Sequence, residues 1–309
     1  MAVLAGAVPS LEQLHLVLST EKNAISYLME HDALVIRDHC YQCGGGSLSP
    51  TSANHKKMRC NNIQCRATFS VFADHPFRNT NIRINNVLRL LLMWLNGGTQ
   101  TVIMQTVGVN QRTVQRFVKI FQDVIGWDMA SLPNEERLIG GEGIIVEIDE
   151  SKFGKRKYHE GHHVEGVWVV GGVERTAQRR LFAESVHDRS AATLRAIIER
   201  CVAPGSIVST DCWRGYRDED LAVLGMQHRT VNHSVEFVAA DGTSTNAIEW
   251  TWNALKWAST PIRHRTRDKV DGHLVTFIWK RRNLGNIWPR FLSALGRYAL
   301  PDNADDPDD

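Results

Sequence analysis

Apolar and polar residues alternate from Ile144 onward. Ile144, Val146 and Ile148 fall on one side; Ile145, Glu147 and Asp149 fall on the other. β-Branched alternation of this kind predicts a strand. A polar turn closing at Gly154 follows it, which places Asp149 near the strand end. The same patterning predicts strands over 164–173, 180–187, 207–211 and 228–231. Residues 191–202 have a helical period instead, with Leu194, Ile197, Ile198 and Cys201 inward. Residues 246–259 also read as a helix. Ile248, Trp252 and Leu255 share one face, and Asn246, Glu249, Asn253 and Lys256 share another.

Upstream, 11–29 is weakly amphipathic and predicts one or two helices. Ile84, Val87, Leu88, Leu91, Leu92 and Leu95 recur at helical spacing until Gly97-Gly98 stop them. Thr99 caps a short helix through Val107, Gly108-Val109-Asn110 turn the chain, and a second helix spans 111–121. That is the helix-turn-helix order, and it reads equally as a plain helical hairpin with one polar face. In the first reading Gln111, Arg112, Gln115, Arg116 and Lys119 face DNA, since Gln and Arg bond base edges bidentately. Val114, Phe117, Val118 and Phe121 then face the core. Residues 126–143, with Pro133, Asn134 and Gly140-Gly141, read as a linker.

Cysteine placement changes this picture. Cys40, Cys43, Cys60 and Cys65 form two knuckles within one short segment. Four thiolates at this spacing predict one structural Zn²⁺ in a ribbon, whose ion replaces a core too small to fold alone. Gly44-Gly45-Gly46 let the backbone turn tightly there. His39, His55 and His75 lie close by and read as surface or packing residues. Formal net charge is only +2, but the last nine residues hold five Asp, and 254–300 hold ten Lys or Arg against two Asp. Such asymmetry fits a polyanion partner, or a solvated surface with an acidic disordered tail. No stretch reaches membrane-span length, and Glu12 and His15 break up any signal-peptide core.

Three acids carry the chemistry. Asp149 and Asp211 fall at predicted strand ends, and Glu249 on a polar helix face. Singly each reads as an ordinary turn or surface acid. Together they form the acid set of two-metal phosphoryl transfer on nucleic acids. Three strands in meander, then helix, strand, helix, strand and helix, is the order of a ribonuclease-H-like mixed α/β sheet. The expected division is an N-terminal helical segment (1–36), zinc ribbon (37–78), helix-turn-helix (79–125), linker (126–143), catalytic domain (144–300) and acidic tail (301–309).

The runs 148–157 (IDESKFGKRK), 163–175 (HVEGVWVVGGVER), 211–216 (DCWRGY), 231–234 (VNHS) and 245–249 (TNAIE) resemble the Merlin superfamily of DNA transposases and its bacterial insertion-sequence relatives. The resemblance spans about 40–285. It implies a DDE core with Asp149, Asp211 and Glu249 in the catalytic positions, binding of terminal inverted repeats, and cut-and-paste movement. Two Mg²⁺ suit such acids, with Mn²⁺ able to substitute. Lys152, Lys155, Arg156 and Lys157 form a basic loop for phosphates. Asn246 and Lys256 are further DNA contacts, and His233 is a catalytic helper or a structural residue. Glu150 points away from Asp149 and is not expected to share its ion. The expected partners are double-stranded DNA, as element ends and target, and at least one further copy of the chain on that DNA. The expected location is the nucleus in a eukaryote and the nucleoid in a bacterium. Two other classes fit the sequence: a transposase-derived DNA-binding regulator, and a structure-specific nuclease that never joins strands.

Overall fold

The computed structural model describes residues 8–51, 55–154, 166–211, 215–231, 246–258, 266–298 and 300. The chain forms two compact units, Met1–Asp128 with Asn283–Asp309, and Met129–Arg282. Among the described residues, no helix is long and apolar enough to cross a membrane.

The first unit opens with α1 (Leu11–Ser19) and α2 (Glu21–Glu30), whose Leu14, Leu18, Ala24, Ile25 and Leu28 are buried. Ser10 and Gln13 cap α1 reciprocally. Three short strands follow as an antiparallel meander: β1 (Leu48–Pro50), β2 (Lys57–Cys60) and β3 (Thr68–Ser70). Then come α3 (Ile84–Leu95), α4 (Gln100–Val107) and α5 (Gln111–Ala130). The Thr99 side chain caps α4, and Gly108 ends it in the left-handed region at φ 73°. Asn110 Oδ1 accepts from the Thr113 amide at 2.8 Å and starts α5.

Two boundaries differ from the sequence reading. Helix α5 runs to Ala130 rather than 121, because Val124 and Ile125 continue its buried face. The expected linker therefore begins inside a helix. The C-terminal helix Ile287–Arg297, expected within the catalytic domain, packs in the first unit. Its Phe291 ring meets Phe121 edge-on at 5.6 Å, and Trp288 Nε1 donates to the Tyr27 hydroxyl at 2.9 Å. Arg290 grips buried Asp128 with two bonds of 2.8 and 2.9 Å, and Arg297 adds a third at 3.0 Å. A carboxylate this buried needs such partners.

The second unit contains α6 (Asn134–Arg137), β4 (Ile139–Gly140), β5 (Ile145–Phe153), β6 (Val167–Glu174), β7 (Leu181–Val186), α7 (Ala191–Cys201), β8 (Val202–Ala203), β9 (Ile207–Asp211), α8 (Asp218–Val223), β10 (Gln227–Val231), α9 (Asn246–Ala258) and α10 (Arg267–Arg282); α11 is the C-terminal helix above. The main sheet has the order β10-β9-β5-β6-β7. β5, β6 and β7 run as an antiparallel meander, and β9 and β10 are parallel to β5. That topology is ribonuclease-H-like, as the order of predicted elements requires. Alternation sorts β5 between two cores. Val146 and Ile148 pack with Leu194, Ile197 and Leu221 of α7 and α8. Phe153 packs on the opposite face with Ile248, Trp252 and Leu255 of α9 and Leu274 of α10.

Candidate active site

Parallel pairing sets the first two acids side by side. Ile145, Val146 and Glu147 of β5 register with Ile207, Val208 and Ser209 of β9. Two residues further on, the same register brings Asp149 level with Asp211, and side chains level on neighbouring strands share a face. Asp211 ends β9 as expected. Asp149 lies in the middle of β5 rather than near its end, because the strand continues through the polar residues to Phe153. Pairing with β6 on that side holds it extended, with Asp149 opposite Gly171.

The third acid arrives on α9, and two contacts fix that helix to β5. Buried Glu147 accepts from the first amides of α9, those of Ala247 at 2.6 Å and Ile248 at 3.0 Å. A carboxylate there complements the positive end of the helix. Arg175 pairs with the same carboxylate. One turn further along α9, Trp252 Nε1 donates to Asp149 Oδ2 at 3.0 Å. Gly171 makes room, since a Cβ there would stand 2.6 Å from the Trp252 ring. Glu249 is exposed between these anchors. Burial raises the pKa of Asp149, the Trp252 bond opposes that, and the charges of Asp211 and Glu249 raise it further. Asp149 therefore lies within range of the charges of both other acids. The oxygens of the three do not close to within 4.8 Å of each other; among the described residues only the four cysteines do so. Mutual repulsion opposes closer approach, and two ions about 3.5–4 Å apart need a wider acid set than one ion. The donors are hard carboxylate oxygens, which fit Mg²⁺ or Mn²⁺.

Glu150 faces the other way. It accepts from the Tyr216 hydroxyl and pairs with Arg189 at 3.5 Å, and Arg189 stacks over Trp168 at 3.7 Å. Burial is the main cause that raises its pKa.

In the first unit, Cys40, Cys43, Cys60 and Cys65 bring their sulfurs within 4.8 Å of one another. The Cys40–Cys65 and Cys43–Cys60 pairs are both 3.7 Å apart. A tetrahedron built on a Zn–S bond of about 2.3 Å has edges of roughly 3.8 Å, so the set fits zinc. The Gly45 amide is the main cause holding Cys43 down, to about 6, while burial pushes Cys60 up to about 12. A Cβ on Gly46 would stand 2.2 Å from the Cys60 sulfur. His75 is a packing residue, one of its two expected readings. It is buried, shares a 3.0 Å bond with the Ala33 carbonyl and accepts from the Phe77 amide at 3.0 Å.

The candidate DNA contacts divide. Gln111, Arg112, Gln115 and Lys119 are exposed along α5, whereas Arg116 is half-buried and donates to the Asn79 carbonyl at 3.4 Å. Lys119 pairs with Asp123 at 2.7 Å. Val114, Phe117 and Phe121 are buried, and Val118 is only half so. Lys152 belongs to β5, not to a loop, with its ammonium 5.4 Å from the Trp168 ring. Asn246 begins α9, and Lys256 lies near its end with its ammonium 5.8 Å from the Phe153 ring. Lys155, Arg156, Lys157, His233 and the tail 301–309 lie outside the described residues. Glu147, Gly171 and Trp252 had no role at the site in the sequence reading, which set Trp252 only on a face of its helix with Ile248 and Leu255. The one available signal was Glu147 itself, a second acid two places before Asp149 on the same strand face.

Residues 137–281 match the family model described as the ISXO2-like transposase domain. No curated protein matches the sequence significantly. Among solved structures, the chain is similar to a pre-cleavage Mos1 transpososome (12% identity, 69% of this chain and 79% of that one covered, TM-score 0.24). It is similar also to a Mos1 transposase paired-end complex with left transposon end (12%, 69% and 80%, TM-score 0.24). A third is the Mos1 strand transfer complex (11%, 69% and 78%, TM-score 0.23).

Proposed function

We propose, for a chain whose residues 137–281 match the ISXO2-like transposase domain, that it binds the terminal inverted repeats of a DNA element, cleaves its ends and joins them to target DNA. The observation that carries the reading is that Asp149, on a ribonuclease-H-like sheet, lies within range of the charges of Asp211 and Glu249, with α9 pinned by Glu147 and Trp252. The motif runs around these acids support the finer placement in the Merlin superfamily.

Asp149, Asp211 and Glu249 would hold two Mg²⁺ or Mn²⁺ ions. When bound, such ions supply activation of water or a 3′-hydroxyl and stabilisation of the leaving oxygen. The chain itself supplies orientation. Glu147 fixes the start of α9, and Trp252 holds one oxygen of Asp149. Cys40, Cys43, Cys60 and Cys65 would hold one Zn²⁺, whose role is to replace a core in a small three-stranded module. Arg112 and Gln115 would read base edges, with Gln111 beside them, while Lys119, Arg116, Lys152, Lys155, Arg156, Lys157, Asn246 and Lys256 would contact backbone or sugar. Two ends must be held for joint transfer, which calls for at least two copies on DNA. The test is incubation of labelled end DNA and target plasmid with protein and Mg²⁺. Cleaved and joined products support transposition. Cleavage without joining supports a nuclease, and binding alone a regulator.

A further inference from the structure

Beside the acids, the second unit holds a pocket of about 420 Å³, lined by Glu147, Arg175, Thr176, Arg179, Asn246 and Trp250. That is within the usual size range of small-ligand sites, roughly 300–1,000 Å³. Trp250 is the unusual member. It is 73% exposed, a flat indole that folding leaves in solvent one residue after Glu249. A step of four sets Asn246 and Trp250 on one face of α9.

The opposite wall is the turn 175–180 between β6 and β7, and it is held in shape. The Thr176 hydroxyl and Arg180 Nε donate to buried Glu174 at 2.7 and 3.1 Å, and the Arg175 amide donates to the Ile145 carbonyl at 2.8 Å. Arg175 binds the same Glu147 carboxylate that takes the first amides of α9, so one buried acid ties both walls together. Arg179 is exposed, forms no ion pair among the described residues, and adds its charge to the burial that disfavours the charge of nearby Arg281. Positive charge is therefore gathered here without a carboxylate on Arg179.

A flat aromatic face, an amide and a cation around one cavity match the parts of a nucleotide. Bases stack on aromatic side chains whatever their sequence. Guanidinium binds phosphate with charge-assisted hydrogen bonds, and an Asn amide both donates and accepts. Glu147 precedes Asp149 by two residues of strand, roughly 6.6 Å, so the pocket opens close beside the acids. A base inside duplex presents no free face to an indole, so the occupant must be unpaired or displaced. We propose that this pocket receives an unstacked nucleotide of the DNA strand whose neighbouring phosphate lies at Asp149, Asp211 and Glu249. The proposal rests on the transposase reading above and deepens it: the site takes single-stranded DNA at its acids, with Trp250 as the stacking surface and Arg179 as the phosphate contact.

The test uses the full chain without added Mg²⁺ and two fluorescein-labelled duplexes of the same end sequence. One is blunt and the other carries a three-nucleotide 3′ overhang. Wild-type protein should bind the overhang duplex about tenfold more tightly, the effect expected of one stacked base. Trp250→Ala should remove that preference, Trp250→Phe should keep most of it, and Arg179→Gln should weaken it and flatten its salt dependence. Trp250 is exposed, so the variant is expected to fold. Equal binding of both duplexes by wild type, or an unchanged preference in Trp250→Ala, overturns the pocket proposal while leaving DNA binding intact. An equal loss of blunt and overhang binding in Trp250→Ala also overturns it, since the indole is then a general duplex contact. Failure of the wild type to bind either duplex overturns it together with the transposase reading.

Discussion

Trp252 donates its indole N–H to Asp149 at 3.0 Å across a gap that exists because residue 171 is glycine. The relationship ties a catalytic candidate on β5 to the helix that carries Glu249. Gly171→Ala would put a methyl 2.6 Å from the ring and force Trp252 aside. Overpacking of this kind costs about 1–3 kcal/mol. We expect a lower melting temperature and a loss of end cleavage of roughly 10-fold or more, in line with displaced outer-shell groups. Trp252→Phe keeps an apolar ring but removes the donor and leaves a cavity, so it should lower both cleavage and melting temperature. Unaltered cleavage in both variants would show that the indole does not position Asp149.

Zinc content should depend on Gly46 as well as on the cysteines. A Cβ at that position meets the Cys60 sulfur at 2.2 Å, too close for four sulfurs to keep their spacing. Elemental analysis of protein purified without chelator should give one zinc per chain for wild type and much less for Gly46→Ala and for Cys60→Ser. Full zinc in Gly46→Ala would mean that the turn relaxes without disturbing the cluster.

The first unit should lose stability in mild acid through His75. Burial lowers its pKa from an ordinary 6.5 to about 4, and the Phe77 amide donating to Nδ1 requires the neutral ring. Between those values the unfolded chain takes up a proton that the fold excludes. Stability therefore rises with pH across this window and falls as pH drops from 6.5 towards 4. The full effect approaches about 3 kcal/mol, at about 1.4 kcal/mol per pH unit. NMR titration of the ring gives the check: the signal should remain that of neutral imidazole at pH 5.

Sequence reading of the element end should fall on the exposed face of α5. Arg112→Ala should cost roughly 1–3 kcal/mol and relax specificity at one base pair, while Lys119→Ala should weaken all sequences alike. A competition titration of matched and mutated repeats at fixed salt separates the two. If Arg112→Ala retains both affinity and specificity, another element reads the DNA.

Much of this organisation was legible in the sequence, for physical reasons that can be named. Period-two and 3.6-residue patterns located β5, β9 and α9 because their buried faces contact cores on fixed sides. Four cysteines at knuckle spacing located the cluster because the sulfurs must meet. Two things stayed hidden. The basic run of 254–300 looked like a DNA surface, yet Arg290 and Arg297 bind Asp128, Arg282 binds Glu136 and Arg267 binds the Ser185 carbonyl. Charge counts do not say which charges have partners in the fold. The anchoring of α9 through Glu147 joins residues a hundred places apart, and no local pattern encodes it.

The central claim is that Asp149, Asp211 and Glu249 form the reaction centre while Glu150, their neighbour, does not. Asp149→Asn should also melt higher than wild type without metal, since it removes a half-buried carboxylate that the charges of the other two disfavour. The most direct measurement is Mg²⁺-dependent cleavage of labelled end DNA by Asp149→Asn, Asp211→Asn, Glu249→Gln and Glu150→Gln, beside a binding titration at the same salt. The account predicts cleavage at background for the first three, with binding kept. For Glu150→Gln it predicts a loss of roughly 10-fold or less, because that side chain holds Tyr216 and Arg189 on the other face of β5. Normal cutting by Glu249→Gln together with a dead Glu150→Gln would contradict it and move the site to the opposite face of the sheet.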